Sequence, residues 1–230
     1  MKMTRQVKAG FAALIGLLAA WAAQAQDAPN APEILRAVRL NQSEQHLALK
    51  GRLRCEDLQV PFRLVMNGGE IRYEFSSPAQ TLVLKLGPNS SQLFEQKSGA
   101  SEKIAPAKFD EKVRGTDITY EDLALKFLYW TKAKIDGEET KLTRKCWKLH
   151  LEPAARGESQ YAVVLLWAEK QSGAFLQAEG YGADGKIAKR FKVISGQQLH
   201  GQWILKQMRI EELSGMQSRD QSPTYLEIEK

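Results

Sequence analysis

The sequence predicts a mainly β chain: an antiparallel barrel or strongly curved sheet with two short helical pieces. Three observations predict it. From His46 onward, apolar residues recur with a period of two; turn signals recur about every eight to twelve residues; and only residues 33–40 and 116–130 carry a helical period.

The first 25 residues read as an export signal. Lys2, Arg5 and Lys8 make a positive start, residues 9–23 are an unbroken apolar run, and Ala23-Gln24-Ala25 puts small residues at both positions that a signal peptidase reads. That run is shorter than the roughly 20 residues a membrane-spanning helix needs. Cleavage is therefore expected after Ala25, leaving residues 26–230 as a single domain outside the cytoplasm.

Residues 27–32 form a polar leader, followed by a short helix over residues 33–40 that Pro32 opens and that carries Leu35 and Val38 on one side. Leu47, Leu49, Gly51, Leu53 and Cys55 then alternate with polar partners, and Val60, Phe62, Leu64 and Met66 repeat the pattern. Asn67-Gly68-Gly69 marks a tight turn before Ile71, Tyr73 and Phe75; Leu82, Leu84 and Leu86 extend the series. This half is an antiparallel meander with one apolar face.

The helical exception is residues 116–130. Thr119 and Asp122 have capping-box spacing, and Asp122 and Lys126 form an i,i+4 pair. On a helical wheel Thr119, Asp122 and Lys126 share a narrow polar stripe, while Tyr120, Leu123, Ala124, Phe127, Leu128 and Trp130 cover the opposite side. Such a helix is buried over most of its girth, or it covers an apolar cavity.

Strands resume near Thr140. Trp147, Leu149 and Leu151 alternate up to Pro153, residues 161–167 are nearly all apolar, and residues 169–173 read as a turn. Residues 175–181, 187–194 and 203–213 are joined by Asp184-Gly185 and His200-Gly201, and residues 225–228 are expected to close the sheet. The count is about nine to eleven strands.

Charge excludes one function class. The whole chain carries +6, but Lys2, Arg5 and Lys8 leave with the signal and no acid does, so the remainder carries +3 with both signs interspersed. No basic tract of a nucleic-acid binder is present. In an oxidising compartment Cys55 and Cys146 are a candidate disulfide if their Cα atoms come within bonding reach, which the sequence leaves open.

The motifs do not point to catalysis. Gly180-Tyr181-Gly182-Ala183-Asp184-Gly185 satisfies a dinucleotide-turn pattern, but residues 187–194 alternate as a strand, so the stretch reads as a hairpin. His46, His150 and His200 lack metal-ligand spacing, no G-x-S-x-G elbow occurs, and Glu121-Asp122 and Glu138-Glu139 read as solvated surface charge. The chain is read as a non-enzyme with no cofactor and no metal.

Residues 114–123, Arg-Gly-Thr-Asp-Ile-Thr-Tyr-Glu-Asp-Leu, with Phe127-Leu128-Tyr129-Trp130, resemble a run in the LolA-like outer membrane lipoprotein-sorting proteins. The similarity continues through Gly137-Glu138-Glu139, Lys145-Cys146-Trp147, Ser172-Gly173-Ala174, Ala178-Glu179-Gly180-Tyr181, Asp184-Gly185-Lys186 and Trp203. The resemblance implies an antiparallel unclosed β-barrel around an apolar cavity, with short helices as its lid. It further implies a periplasmic carrier that takes the acyl chains of lipoproteins or lipids as cargo, and a monomer is expected.

Under that implication the lining candidates are Leu49, Leu53, Phe62, Leu64, Tyr73, Phe75 and Leu84 from the first meander, Phe127 and Trp130 from the helix, and Trp167 from the later sheet. The alternative is an envelope protein-interaction or regulatory module on the same fold, holding a membrane partner and no lipid.

Overall fold

Period-two alternation becomes strand wherever one face can be kept from water, and the chain uses this device almost throughout. The computed structural model describes residues 29–43, 45–97, 99–213 and 222–229; the expected signal peptide lies outside the described residues. β1 (His46–Cys55), β2 (Leu58–Asn67), β3 (Glu70–Ser76), β4 (Ala79–Leu86), β5 (Ser91–Lys97) and β6 (Ala100–Lys103) form a first meander. β7 (Lys132–Lys141), β8 (Arg144–Glu152), β9 (Val163–Glu169), β10 (Phe175–Tyr181), β11 (Ile187–Leu199) and β12 (Gln202–Glu212) form a second, and β13 (Thr224–Ile228) follows.

All of them belong to one antiparallel sheet, ordered β6-β5-β4-β3-β2-β1-β13-β12-β11-β10-β9-β8-β7. Its edge strands β6 and β7 do not pair with each other, so the barrel is unclosed, as the resemblance implied. The thirteen strands among the described residues exceed the nine to eleven expected, and β6 and β7 explain much of the excess. β6 is exposed along its whole length, and β7 is dominated by charged residues with a register shift before Gly137, so its alternation is confined to Ala133 and Ile135. Short, charged and bulged strands are also what blunts an open sheet edge against pairing with another chain.

The last strand lies between the halves rather than at an edge. Leu226 pairs with Leu53 of β1 on one side and with Met208 of β12 on the other. The approach of β13 depends on Gly51, where a Cβ would come within 2.7 Å of the Glu227 carbonyl oxygen and 2.8 Å of the Phe62 ring. At the β10–β11 hairpin, the Gly182 N–H donates to the Lys186 carbonyl at 2.9 Å, confirming the hairpin reading of that glycine-rich stretch.

Two helical segments cover the apolar face. α1 (Ala31–Ser43) starts earlier than expected because Asn30 and Glu33 cap it reciprocally, each side chain accepting the other's backbone N–H at 3.0 Å. It buries Ile34, Leu35 and Val38 in a cluster with Leu149, Leu151 and Leu166. The expected helix over residues 116–130 is broken: α2 (Tyr120–Ala124) stops at Leu125, which adopts φ 51, and a 3-10 turn spans Lys126–Tyr129. The break divides the segment's apolar residues. Leu123 and Ala124 join the cluster under β1–β5, whereas Phe127, Leu128 and Trp130 join the cluster under α1.

Because Gly51 leaves no room for a side chain at the β1–β13 seam, Gly51→Val should destabilise the protein by about 1–3 kcal/mol, the usual cost of overpacking. Thermal and denaturant unfolding of the variant check this, and Gly51→Ala, which adds only the Cβ, should lose less.

Candidate functional site

Between the sheet and the helical segments lies a cavity of about 740 Å³. Its walls come from both meanders. β1–β3 supply Leu49, Phe62, Leu64, Met66, Ile71 and Tyr73; β11–β13 supply Phe191, Val193, Ile204, Met208, Leu226 and Ile228; Leu123, Leu125 and Phe127 cover it.

Five of the ten lining candidates therefore face this space: Leu49, Phe62, Leu64, Tyr73 and Phe127. Leu53, Phe75 and Leu84 are buried in the surrounding apolar cluster without lining the cavity, and Trp130 is buried in the cluster beneath α1. Trp167 corrects the expectation outright. It lies on the opposite face of β9 from the core residues Val164 and Leu166, with the ammonium groups of Lys141 and Lys148 over its ring at 4.4 and 5.6 Å. A run apolar at both parities gives no sign of which residues point inward. The β11–β13 wall was missed for a related reason: its alternation was legible, but nothing in it separates solid core from cavity lining.

The thiols of Cys55 and Cys146 are free. Cys55 ends β1, where its Sγ donates to the Ser222 carbonyl at 3.4 Å, and Cys146 is buried on β8, six places away in the strand order. Burial pushes the Cys146 thiol up.

Thr119 and Asp122 were expected on a polar stripe, with Glu121 and Asp122 as solvated charge; all three are buried. Both halves of the expected capping box form, the Thr119 N–H donating to Asp122 Oδ2 at 2.8 Å and the Asp122 N–H to Thr119 Oγ1 at 3.3 Å. The same carboxylate receives Lys189 Nζ at 2.7 Å and the Tyr161 hydroxyl at 2.7 Å. The Lys189 and Asp122 side chains are only 4% and 2% exposed, so the pair is desolvated as well as close. It pins α2 to β11 and to the segment entering β9. Burial, reinforced by Asp122, pushes the Tyr161 phenol well above its ordinary value, and burial pushes the Glu121 carboxyl up. One sequence signal could have exposed the pair: Lys189 shares the parity of Ile187, Phe191 and Val193.

The cavity has a polar end. Hairpin turns β7–β8, β9–β10 and β11–β12 alternate with turns at the opposite edge of the meander, so all three fall at one end of the sheet. The C-terminus of α1 reaches the same end, where Asn41 Nδ2 donates to the Ser172 carbonyl at 3.1 Å. Every strongly exposed side chain of the lining lies here: Leu142, Thr143 and Arg144, Gln171 and Ser172, and Trp203. The cavity thus reaches solvent at this end, with Asn41, Gln42 and Gln45 completing the rim. Arg52 and Arg54 lie elsewhere, on the outward parity of β1, where both bind the Glu227 carboxylate. A space with an apolar wall that includes the Lys189-paired Asp122, and a rim of amides, hydroxyls, one guanidinium and the Glu169 carboxylate, can hold an amphiphile, chain inward and polar group outward.

A family model described as "Uncharacterized protein" matches residues 73–229, more than half of the chain. No curated protein matches. Among solved structures, a putative outer membrane lipoprotein-sorting protein domain from Vibrio parahaemolyticus is similar with a TM-score of 0.68 at 13% identity, over 87% of this chain and 90% of that one. A DUF1329 family protein from Desulfovibrio piger gives 0.64 at 18% identity, over 86% and 90% of the two chains. A LolA superfamily protein from Nitrosomonas europaea gives 0.61 at 16% identity, over 88% and 93%.

Removing one partner of a buried ion pair leaves the other uncompensated, at a cost of about 3–5 kcal/mol. Asp122→Asn should therefore lower unfolding stability by that order, and adding Lys189→Met should recover part of it, as denaturant titration of the two variants would show. A second expectation concerns alkali. Burial pushes the Tyr73 phenol up to about 12, whereas in the unfolded chain it ionises near 10. Stability contributed by the neutral phenol is complete below about pH 10 and is lost as pH rises toward about 12, because the unfolded state gives up its proton first. Tyr73→Phe should remove this part of the alkaline loss, measured by unfolding at stepped pH.

Proposed function

The chain belongs to the family whose model spans residues 73–229 and has the LolA-like fold, and from that premise we propose that it is an exported periplasmic carrier. Its cavity takes the acyl chains of lipoproteins or lipids and helps to sort them to the outer membrane. The observation that carries the reading is the apolar cavity of about 740 Å³ with a polar, solvent-facing rim.

The physical need for such a space is direct. Each acyl methylene moved out of water is worth roughly 0.8 kcal/mol, so an unshielded chain does not cross an aqueous compartment. If a methylene occupies about the volume of a water molecule, roughly 30 Å³, the cavity has room for about 25 of them. That suits one long acyl chain or two short ones. A wall as apolar as the bilayer makes exchange nearly balanced, and small movements of α2 and the adjoining 3-10 turn then decide loading or release.

Export is supported by Lys2, Arg5 and Lys8, the apolar run of residues 9–23 and Ala23-Gln24-Ala25, with cleavage after Ala25 and residues 26–230 as one working domain. The carrier acts as a monomer and performs no catalysis on its cargo.

Leu64→Glu and Phe127→Asp place a carboxylate in the wall and should abolish uptake of a fluorescent fatty acid by the folded protein, whereas the unchanged protein binds it. Native mass spectrometry with lipid extraction is the companion measurement. Co-purifying acyl mass is expected; a protein that is empty and also refuses the probe would sink the carrier reading and favour a protein-interaction module.

A further inference from the structure

The polar end of the barrel carries two large apolar side chains that the cavity does not bury. Trp203, at the start of β12, is 63% exposed, and Leu142, at the β7–β8 turn, is 44% exposed. Trp203 is the most exposed of the large apolar side chains among the described residues. Both side chains border the opening; Leu142 stands on a hairpin turn and Trp203 directly after one, and the alternation of the meander directs both turns to the same end.

The β7–β8 turn is itself unusual. Leu142 and Thr143 have φ 47 and φ 63, the left-handed region in which two-residue hairpin turns ordinarily place Asn or Gly. A β-branched threonine there is strained, so this turn presents a leucine at some conformational cost.

Cations surround it. The turn reads Lys141-Leu142-Thr143-Arg144-Lys145. Lys141 is paired with Glu139 at 3.0 Å, and nearby Lys170 with Glu138 at 2.5 Å. Arg144 and Lys145 are exposed and make no ion pair among the described residues, although Arg144 lies within electrostatic reach of Glu169. Glu169 is occupied by Ser172, accepting from its N–H at 2.7 Å and its hydroxyl at 2.6 Å.

We propose that this end of the barrel docks on an anionic lipid bilayer, seating Trp203 and Leu142 at headgroup level and setting Arg144 and Lys145 against lipid phosphates. An indole is suited to the membrane–water boundary because its ring is apolar and its N–H remains able to hydrogen-bond. Unpaired cations beside it complement a negative surface. Docking in this pose puts the cavity opening against the lipid, so a chain could pass between bilayer and barrel without crossing water. The inference rests on the carrier reading for what is exchanged, but the docking itself depends only on the surface.

The test is flotation of the processed protein, purified after export, with vesicles of phosphatidylcholine containing about 30 mol% phosphatidylglycerol, whose anionic headgroups make the surface potential negative. Binding is expected there and should be much weaker on phosphatidylcholine alone. Arg144→Ala and Lys145→Ala should each weaken it about fivefold, and added salt should weaken it further. Leu142→Ser with Trp203→Ser should remove most of it, and the blue shift of tryptophan emission on binding should vanish in Trp203→Phe. Equal flotation by these surface variants, or no flotation on either vesicle, overturns the proposal, and retention of a protein partner in place of vesicles overturns it in favour of a protein interface. Fatty-acid uptake separates the two readings: a protein that floats but takes up no fatty acid loses the carrier reading alone, and one that takes up fatty acid but never floats loses the docking alone.

Discussion

A long antiparallel sheet that curls without closing must keep its concave apolar face from water, and everything else in this structure answers to that requirement. The covering material is small: a helix of 13 residues, one of 5, and 3-10 turns. α1 fills the space beneath β8–β10 with Ile34, Leu35 and Val38. The rest of the concave face, under β1–β3 and β11–β13, is roofed by α2 and the residues after it without being filled, and the difference is the cavity. Solid packing is the common fate of apolar surface in proteins. Here the helical cover is too short to reach it everywhere.

How a five-residue helix holds its place is then a question of energetics. Isolated helices of that length have no stability in water. α2 is held by polar bonds with high geometric demands, through Asp122 to Lys189, Tyr161 and the Thr119 backbone, while Gln160 Nε2 donates to Thr119 Oγ1 at 2.8 Å. A buried ion pair is a poor source of net stability but a strict one of position, because any displacement strands a charge. That division of labour leaves Leu123, Leu125 and Phe127 to face the cavity instead of anchoring the cover.

Much of the fold was legible in the sequence because it rests on parity. Leu49, Phe62, Leu64 and Tyr73 could be placed on the inner face from alternation alone, and Asn67-Gly68-Gly69, Asp184-Gly185 and His200-Gly201 fall between strands as expected, whereas nothing announced the turn at Leu142-Thr143. Where parity is silent the reading failed. Trp167 sits in a stretch apolar at every position; β6 is exposed throughout and β7 has only Ala133 and Ile135 among its charges, so both rest largely on backbone pairing; Leu125 breaks a helix with no residue that announces it. Lys189 shows the opposite case, a charge at an apolar parity that pointed to burial while its partner, 67 residues away, did not. Pairing across the sheet is non-local, and a one-dimensional pattern gives strands without neighbours. Nothing in residues 224–228 says that they belong in the middle.

That central place of β13 has a consequence for how the protein is made. The strand joining the two meanders comes after both of them in the chain and pairs with β1, the first strand of the first meander, so the seam is a contact of very high sequence separation. Neither meander can settle against the other until residues 224–228 are present. A chain emerging from the ribosome thus cannot complete this sheet before residues 224–228 have been made. The same ordering makes residues 224–228 a poor place for an insertion: a few extra residues there burden the step on which assembly of the whole sheet waits.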